Sequence, residues 1–486
     1  MTQVVGLDVG TQGTKGLVLD LDAGHVVARA HRSYDLIGRL APGAAEQDPR
    51  TWAAAVAEVC AELVQAAGVD PSRLAGVGVS GQQHGCVVLD ESHTPVRAAK
   101  LWCDTETAPE AAALSGELGV HVPAGFTASK VRWLRDHEPE NWKRTRHVVL
   151  PHDYINLLLS GVLATEAGDA SGTGYFDVAQ RRFDMDRAAV VDADLPGKLP
   201  PVLAPDAVLG RVSAEGSAWS GLPAGLAVAV GGGDNMLSAI GSGATEPGVV
   251  TVSLGTSGTV FTHSDAPVVD PSGLIAPFCG SAGGWMPLLC VMNLTGVTGE
   301  VQQAFGMEHG ALTDAAKVVA PGCDGLSWLP YLAGERVPDL PDATGTLLGM
   351  RAGALEPGRL YRAALEGTSL NLAWGVDRMR ALGLEVRRVH LVGGAARNGL
   401  WQQILAASLD AQVVPLEEAE SAALGGALQA MGCLRAAEGK GGPLAPIARP
   451  FVMPAAEAVE PDPGLVQFYA SAGQEFRAAV ESRYGS

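Results

Sequence analysis

Two aspartates stand where a phosphoryl-transfer centre would need carboxylates. Asp234 follows Gly231-Gly-Gly at the end of a predicted strand, immediately before an apolar helix start. Asp8 interrupts an otherwise apolar strand, where a carboxylate is costly unless it has a partner. Ligands of α/β sheets bind at the carboxyl ends of strands. We therefore predict a general base at Asp234 and a divalent cation near Asp8. A helix N-cap and a turn-bonded carboxylate are the respective alternatives.

Two Gly-Thr-rich turns, half a chain apart, could hold phosphate. Residues 4–14 and 249–259 share six identical positions at an offset of 245, among them Gly10/Gly255 and Thr11/Thr256. Each copy follows an apolar run, which predicts a β-hairpin whose tight turn exposes backbone N–H groups to an anion. Two such hairpins facing each other would grip a triphosphate, whereas chance recurrence in a glycine-rich chain is the alternative. Ser253 replaces the aspartate in the second copy, so one cation site is expected.

Phosphoryl transfer needs little more than such loops, a cation and a base. Other chemistries lack their signatures. The Gly-x-Gly-x-x-Gly match at 76–81 lies within a strand and leads to another strand, which argues against a dinucleotide fingerprint. The sequence contains no P-loop motif, no Gly-x-Ser-x-Gly elbow and no His-Glu-x-x-His pair. Its 11 histidines are dispersed, which argues against a structural zinc site.

Composition restricts the class of protein further. The 486 residues, 47% of them hydrophobic, suffice for two buried cores. A formal net charge of −19 argues against nucleic acid and anionic membrane as partners. No apolar stretch reaches membrane-spanning length, and no secretion signal is evident at the start. The seven cysteines are scattered, which predicts reduced thiols and a cytoplasmic location.

The elements that would position these residues alternate between strands and helices. Apolar runs followed by glycine-rich turns predict paired strands at 4–9 with 14–21 and at 77–80 with 86–89. Strands at 226–230 and 389–392 each lead through a glycine turn into a helix. Further helices are predicted over 51–67, 357–382 and 465–482, with an irregular segment at 443–463. This alternation indicates an α/β architecture.

Taken together, eleven ordered motifs make the chain resemble the FGGY family of carbohydrate kinases from about residue 5 to about residue 430. They are Gly6-Leu-Asp-Val-Gly-Thr, Gly81-Gln-Gln-His-Gly, Leu101-Trp-Cys-Asp, Gly125-Phe-Thr-Ala-Ser-Lys, Leu150-Pro-His-Asp-Tyr, Gly231-Gly-Gly-Asp-Asn, Ser253-Leu-Gly-Thr-Ser-Gly, Tyr331-Leu-Ala-Gly-Glu-Arg-Val-Pro, Leu365-Glu-Gly, Gly393-Gly-Ala-Ala-Arg-Asn and Ala423-Leu-Gly-Gly-Ala. The resemblance implies two related actin-like, hexokinase-like (ribonuclease H-like) α/β domains around a central cleft. We expect residues 1–244 to bind sugar and carry the base, residues 245–486 to bind nucleotide, and the hinge to lie near 241–248.

The resemblance also assigns roles to residues. It implies that Asp234 is the catalytic base, that Asp8 lies near Mg²⁺ and that ATP is the phosphoryl donor. It implies sugar contacts from Gln83, His84, Trp102, Asp104, Asp234 and Asn235. It implies nucleotide contacts from Thr11, Gln12, Thr14, Lys15, Gly255, Thr256, Ser257, Gly393, Gly394, Ala395 and Asn398. Considered without the resemblance, His84 could be an ordinary loop histidine and Trp102 a core residue.

The Gly-Gln-x-His-Gly form around His84 is that of family members which phosphorylate xylulose, and it differs from that of glycerol kinases. The implied reaction is therefore ATP-dependent phosphorylation of D-xylulose at O5, with a homodimer as the candidate assembly. Gln83, Cys103 and Glu106 depart from residues often found at the sugar end. Kinases of ribulose, ribitol, arabinitol, gluconate or glycerol therefore stay open, as do a non-kinase ATPase and a sugar sensor of the actin fold.

Overall fold

Two mixed β-sheets organise the chain, which is described over residues 2–485 by a computed structural model. The strands are β1 Gln3–Val9, β2 Gly13–Asp20, β3 His25–Ser33, β4 Glu46–Gln47, β5 Leu74–Gly81, β6 Val87–Leu89, β7 Ala99–Lys100, β8 His147–Val149, β9 Thr165–Glu166, β10 Phe176–Asp177, β11 Arg182–Phe183, β12 Val202–Leu203, β13 Val208–Arg211, β14 Ala227–Ala229, β15 Gly232–Gly233, β16 Gly248–Leu254, β17 Gly258–Thr262, β18 Ala276–Cys279, β19 Trp285–Val291, β20 Ser327–Leu329, β21 Thr346–Leu348, β22 Val386–Val392 and β23 Gln412–Pro415.

Helices cover and connect these sheets. They are α1 Pro49–Gln65, α2 Ala108–Leu118, α3 Thr127–His137, α4 Pro139–Arg144, α5 Pro151–Ser160, α6 Ala167–Ala170, α7 Met185–Val191, α8 Ala214–Ser220, α9 Asp234–Gly241, α10 Thr295–Phe305, α11 His309–Lys317, α12 Pro357–Ala381, α13 Gly399–Leu409, α14 Ser421–Ala437, α15 Ala445–Ala448 and α16 Pro463–Tyr484.

The two large sheets repeat one arrangement of five strands. In the first sheet the order is β3-β2-β1-β5-β14, and in the second it is β19-β17-β16-β22-β23. In both, the central strand pairs antiparallel with the hairpin strand that follows it and parallel with the strand on its other side. Both predicted Gly-Thr hairpins are therefore confirmed, and the repeat in sequence is a repeat in topology.

Two helices pack against each other between the sheets. Helix α9 follows the last strands of the first sheet, and α14 follows β23 of the second. The contact is so close that a Cβ on Gly425 would lie 1.8 Å from the carbonyl oxygen of Leu237, and one on Gly6 would lie 1.9 Å from that of Ala423. Buried residues of both helices and both sheets share one core cluster here. The strands of the first sheet all precede residue 244 and those of the second all follow residue 245, but α14 packs on the first sheet.

Most local predictions of elements agree with the structure. The predicted helices correspond to α1, α12 and α16, and the two strand-turn-helix units correspond to β14–α9 and β22–α13. The pairing of 77–80 with 86–89 is wrong, because β5 lies between β1 and β14 while β6 pairs with β8. Segment 443–463 is largely irregular, with α15 and two isolated bridges to the second sheet's edge.

Two further expectations bear on the chain as a whole. Within residues 2–485, no helix is long and apolar enough to cross a membrane. The seven cysteines are all free, as predicted.

Candidate active site

The carboxyl ends of three adjacent strands bring Asp8 and Asp234 to one edge of the first sheet. Asp8 stands opposite Ser80 of β5 in the parallel ladder, and the Ser80 hydroxyl donates to the Asp8 carboxylate at 2.8 Å. Strand β15 pairs with Ser80 and Gly81, and Asp234 begins α9 immediately after it. The predicted placement of both aspartates at a strand edge is therefore confirmed.

The three glycines before Asp234 have a different reason from the one the sequence suggested. We expected them to allow close approach of a ligand. Instead, a Cβ on Gly231 would lie 2.6 Å from the carbonyl oxygen of Val79, and one on Gly232 would lie 2.4 Å from Leu237. A Cβ on Gly233 would meet Gln83 at 2.7 Å and Asp169 at 3.2 Å. The three glycines thus leave room for a backbone carbonyl and several side chains of the protein to pack behind the site.

Asp234 is held as an unusually basic carboxyl group. It is half-buried, and the N-cap of α9 is Gly233 rather than Asp234. Burial, with the negative charges of Asp8 and Asp169 nearby, raises its pKa to about 8, although hydrogen bonds from Asn235 oppose the rise. In the free protein this carboxyl group therefore keeps its proton up to about pH 8, and once deprotonated it is a strong proton acceptor, as suits a general base whose pKa lies near the working pH.

Asp8 faces the same space, and within residues 2–485 its carboxylate forms no ion pair with a lysine or arginine side chain. Burial raises its pKa to about 6, against the hydrogen bond from Ser80. Lys15, which we predicted to contact nucleotide, forms its ion pair with Glu420 at 2.7 Å. Mg²⁺ requires oxygen ligands and negative charge, so the carboxylate of Asp8 beside the Ser80 hydroxyl fits that ion.

A chain of hydrogen bonds crosses from the second sheet to the predicted sugar residues. The Thr259 hydroxyl of β17 donates to the Asn235 side chain at 3.0 Å. The Asn235 amide in turn donates to the Gln83 side chain at 2.6 Å. Because Asn235 follows the candidate base directly, Gln83 lies close to Asp234. We call the surface formed by Gln83, Asn235 and Asp234 the sugar-side wall.

Trp102 and Thr11 form another part of the sugar-side wall. The indole N–H of Trp102 donates to the Thr11 hydroxyl at 3.0 Å, and that hydroxyl donates to Gln82 at 2.9 Å. The Thr11 hydroxyl is thus already engaged, which leaves the backbone of the loop for phosphate. Trp102 is only partly buried, so the core-residue alternative does not describe it.

Asp104 does not fit the direct sugar contact that we predicted. Its side chain is fully buried, and its oxygens accept from the backbone N–H of Ala45 at 3.0 Å, from Lys100 at 3.1 Å and from Thr107 at 3.3 Å. Glu106 also pairs with Lys100, at 2.5 Å. These carboxylates surround a buried ammonium group and fix the loop behind Trp102, so Asp104 supports the wall from behind.

His84 is not an ordinary loop histidine. Its backbone has φ +63°, a left-handed conformation that is uncommon outside glycine. The ring is nearly parallel to Phe278 of the second sheet, with 5.6 Å between centroids. Desolvation by burial lowers its pKa, which favours the neutral imidazole.

Behind His84 lies Asp169, a residue that was not predicted from the sequence. Asp169 is fully buried on α6 and accepts from the backbone N–H of His84 at 3.3 Å. It also contacts the ring of His152 at 3.1 Å. The available signal was a pair of acidic residues, Glu166 and Asp169, in a run of alanines and glycines, where burial of charge demands partners.

The first nucleotide loop is closed by its own hydrogen bonds. The backbone N–H of Gly10 donates to the carbonyl of Gly13 at 3.0 Å. Tyr34 donates to the carbonyl of Gly10 at 2.8 Å and shares a hydrogen bond with the Thr14 hydroxyl. Thr14 is fully buried, so its side chain shapes the loop and does not offer a phosphate contact, in contrast to our prediction. Gln12 is exposed at the tip of the loop.

The second loop and the predicted adenosine turn share an edge of the second sheet. The second loop exposes Gly255 and Thr256, leaves Ser257 partly exposed, and is joined to α10 by backbone bonds. A Cβ on Gly393 would lie 2.6 Å from the carbonyl of Leu254, so the turn sits against the start of the loop. Among residues 2–485, no atom beyond the two chain neighbours of Gly394 lies within 4 Å of a Cβ built on it, which leaves this backbone open.

The rest of the turn is held by the helix that follows. Asn398 caps α13 through the N–H of Trp401 at 3.2 Å and donates to Thr313 of α11 at 3.0 Å. Ala395 is partly exposed beside it. The residues of the second half that were predicted to bind nucleotide therefore lie at one edge of the second sheet. The Asn398 side chain, however, forms its hydrogen bonds within the protein.

Arg336, in the motif that begins at Tyr331, is a further residue of the site for which the sequence predicted no role. It is exposed, and its positive charge contributes to the lowered pKa of His84. The same positive charge opposes the rise that burial causes in the pKa of the Cys290 thiol, and Cys290 stands opposite Thr259 in the β17–β19 ladder. A cation of the second half thus lies close to the sugar-side residues of the first.

Comparisons with known proteins agree with this geometry. The model of the N-terminal domain of the FGGY family of carbohydrate kinases matches residues 3–241, and that of the C-terminal domain matches residues 250–433. Xylulose kinase of Haemophilus influenzae is 37% identical over 443 residues, which cover 88% of this chain and 90% of that protein. Xylulose kinase of Streptomyces coelicolor is 39% identical over 445 residues, 89% of this chain and 88% of that protein. The crystal structure of xylulose kinase from Rhodospirillum rubrum superposes with a TM-score of 0.90 at 30% identity, covering 99% of this chain and 98% of that one.

Proposed function

Because the chain belongs to the FGGY family of carbohydrate kinases, we propose that it transfers the γ-phosphoryl group of ATP to O5 of D-xylulose, giving D-xylulose 5-phosphate and ADP. The likeness to xylulose kinases over most of the chain supports this substrate. The observation that carries the chemistry is a basic carboxyl group, Asp234, set among a sugar-side wall and two Gly-Thr loops.

In the proposed reaction the Asp234 carboxylate accepts the proton of the O5 hydroxyl. O5 forms a bond to the γ-phosphorus as the bond from that phosphorus to its bridging oxygen breaks, and the electron pair leaves with ADP. Little covalent chemistry is asked of the protein, so positioning and electrostatics supply most of the rate enhancement. Residues 1–244 position the sugar and the base, and residues 245–486 position the nucleotide.

Asp8 is the residue proposed to hold Mg²⁺ together with the phosphate oxygens. When bound, the ion would neutralise charge on the phosphates. The first loop then offers its backbone N–H groups around Thr11 and Gln12, and the second offers those around Thr256 and Ser257. Gly393, Gly394 and Ala395 form the platform for adenosine.

A coupled ADP-release assay tests the substrate. The panel contains D-xylulose, D-ribulose, ribitol, D-arabinitol, gluconate and glycerol, each with MgATP. We expect kcat/KM for D-xylulose to exceed that for every other acceptor by about tenfold or more, since unpaired polar groups in the pocket penalise a wrong sugar.

The Asp234→Ala variant supplies the background rate, and ³¹P NMR of the product reports which oxygen carries phosphate. Preference for a different acceptor, or phosphate on an oxygen other than O5, would contradict the proposal. ADP release from Asp234→Ala at the wild-type rate would contradict the assignment of the base.

A further inference from the structure

His84 is held in an unfavourable backbone conformation by contacts on both sides. Its φ of +63° costs of order 1 kcal/mol or more for a residue other than glycine, and it persists only where surroundings enforce it. The backbone N–H of His84 donates to Asp169 Oδ1 at 3.3 Å, and its carbonyl accepts from the Thr127 hydroxyl at 3.1 Å. Both polar groups of this one peptide segment are therefore fixed by side chains.

The ring of His84 is confined as tightly as its backbone. A Cβ on Gly172 would lie 1.7 Å from the ring carbon Cε1, so only a glycine leaves room at that edge. Phe278 and Phe126 pack on the ring, with centroids 5.6 Å and 5.1 Å away. Rotation of the ring is thus restricted, and the positions of its two nitrogens are set.

The two ring nitrogens of His84 have different surroundings. Nδ1 is sealed from solvent and faces Asp169 Oδ1 at 3.5 Å, and among residues 2–485 it makes no hydrogen bond of regular geometry, so this carboxylate is the charged group nearest to hand for an N–H at Nδ1. Among residues 2–485, Nε2 has no hydrogen-bond partner. One nitrogen therefore faces a carboxylate, and the other is available to a ligand.

Asp169 is itself fixed by a buried ion pair. Its Oδ2 lies 3.1 Å from His152 Nδ1, and His152 Nε2 lies 2.9 Å from Asp153 Oδ1. All three side chains are at most 1% exposed. The two carboxylates raise the pKa of His152 well above its usual value, so the ring carries a positive charge between them. Asp169 thus keeps Oδ1 for His84.

We propose that Asp169 is a positioning residue that keeps the proton of His84 on Nδ1 by offering Oδ1 as the hydrogen-bond acceptor for that N–H, which leaves Nε2 as the acceptor for a hydroxyl group of the sugar. A neutral imidazole has one donor and one acceptor nitrogen, and the partner of one decides the role of the other. The inference rests on the proposed sugar phosphorylation for the identity of the ligand. The tautomer of His84 in the free protein does not depend on it.

The first arm of the test is NMR of the free protein labelled with ¹⁵N-histidine. The His84 signal is assigned by its loss in His84→Gln. We expect a neutral ring protonated at Nδ1 in the wild type, and a shift toward the Nε2-protonated form in Asp169→Asn. A wild-type ring protonated at Nε2 would overturn the proposal, whether or not the variant folds.

The second arm is kinetics with D-xylulose and MgATP. We expect Asp169→Asn to raise the KM for sugar by about tenfold or more, the scale of one lost hydrogen bond, with the KM for ATP within about twofold. Asp153→Asn is the matched control, because it removes the other carboxylate that pairs with His152 and does not contact His84. Its sugar KM should stay within about threefold.

Equal increases in sugar KM for Asp169→Asn and Asp153→Asn would mean that the two carboxylates act only by holding His152 in place, and this result would overturn the proposal. An unchanged sugar KM in Asp169→Asn would do the same. If the wild type prefers another acceptor, the proposed substrate fails, while the tautomer result still decides the role of Asp169.

Discussion

At the scale of single residues, the surroundings of the candidate base Asp234 favour proton acceptance but lower the stability of the folded protein. Asp234 is half-buried near two other carboxylates, which disfavours its charge and raises its pKa to about 8. The same surroundings make it a better proton acceptor than an exposed aspartate would be. Basicity at this position is thus obtained at the expense of stability.

The pH dependence of stability should reveal this conflict. In the unfolded chain an aspartate has a pKa near 3.9, so between about pH 4 and pH 8 the native state binds one more proton, and stability falls as pH rises. Asp234→Asn removes this dependence. We expect the variant to be inactive yet to melt at a higher temperature than the wild type at pH 8.5. The gain in free energy of unfolding should be a few kcal/mol at most, and it should be smaller at pH 5.5.

Thermal unfolding without Mg²⁺ or nucleotide, followed by circular dichroism at both pH values, is the measurement. Asp342→Asn, on an exposed side chain, is the control and should track the wild type. A pH-independent difference between Asp234→Asn and the wild type would argue against the raised pKa.

What could be predicted of the site from the sequence depended on local pattern. Asp8 and Asp234 stand out because each breaks an apolar or glycine-rich strand end, a signal visible within ten residues. Asp169 acts through His84, which is 85 positions away in the chain, and no local pattern reports that contact. Asp104 pairs with the buried Lys100, and no pattern in the sequence shows that its carboxylate points toward that ammonium group.

At the scale of elements, glycines determine how closely α14 approaches the first sheet and α9. Gly425 faces the backbone of Leu237, and Gly426 lies against Gly78 of β5, where a Cβ on the strand glycine would fall 2.0 Å from the helix carbonyl. These neighbours are backbone atoms, which cannot move aside as a side chain can. Each added methyl group would therefore separate the elements.

Substitution of Gly425 by alanine should accordingly destabilise the protein, although alanine favours helices. We expect a loss of about 1–3 kcal/mol or more, the usual range for overpacking. Gly432→Ala in the same helix is the matched control, because its Cβ would meet only the end of the Leu444 side chain, at 2.8 Å. That variant should be neutral, or stabilised by about 0.5–1 kcal/mol.

Chemical denaturation of both variants and the wild type measures the difference. Equal stabilities of Gly425→Ala and Gly432→Ala would contradict the view that backbone contact at Gly425 controls this packing.

The elements themselves were predictable where their partners are near in sequence. Each Gly-Thr hairpin pairs strands separated by three residues, so the turn fixes the pairing. Closeness in sequence predicts that β6 pairs with β5, yet its partner β8 begins 60 positions after β6 does. Nothing in the alternation of apolar residues distinguishes a near partner from a distant one.

At the scale of the whole molecule, the repeat means that each sheet brings a loop and a set of side chains to one site. The same order of five strands places Asp8 at the end of β1 and Ser253 at the equivalent point of β16. One half therefore contributes the carboxylate and the other a neutral hydroxyl. The Thr259–Asn235–Gln83 hydrogen bonds connect the halves beside the base.

Arg336 is the cation by which the second half should act on the sugar side. Its loop is anchored by Glu335, whose buried carboxylate accepts from the backbone N–H of Met292 at 2.7 Å and from that of Arg336 at 2.8 Å. In the part of the chain described here, no carboxylate pairs with the Arg336 side chain. A guanidinium group beside the reacting centre would stabilise negative charge on the transferred phosphoryl group.

Replacement of Arg336 by glutamine should therefore lower kcat with D-xylulose and MgATP by about 10²-fold or more, the effect seen on removal of one such stabilising donor. Nucleotide affinity without sugar, measured by calorimetry, should change little, because the adenosine turn lies at the far strand β22. Arg351→Gln, which removes the same charge from an exposed position of the second half, is the control and should retain wild-type kcat. If Arg336→Gln instead loses nucleotide affinity while kcat is preserved, the residue belongs to the nucleotide site and does not act across the cleft.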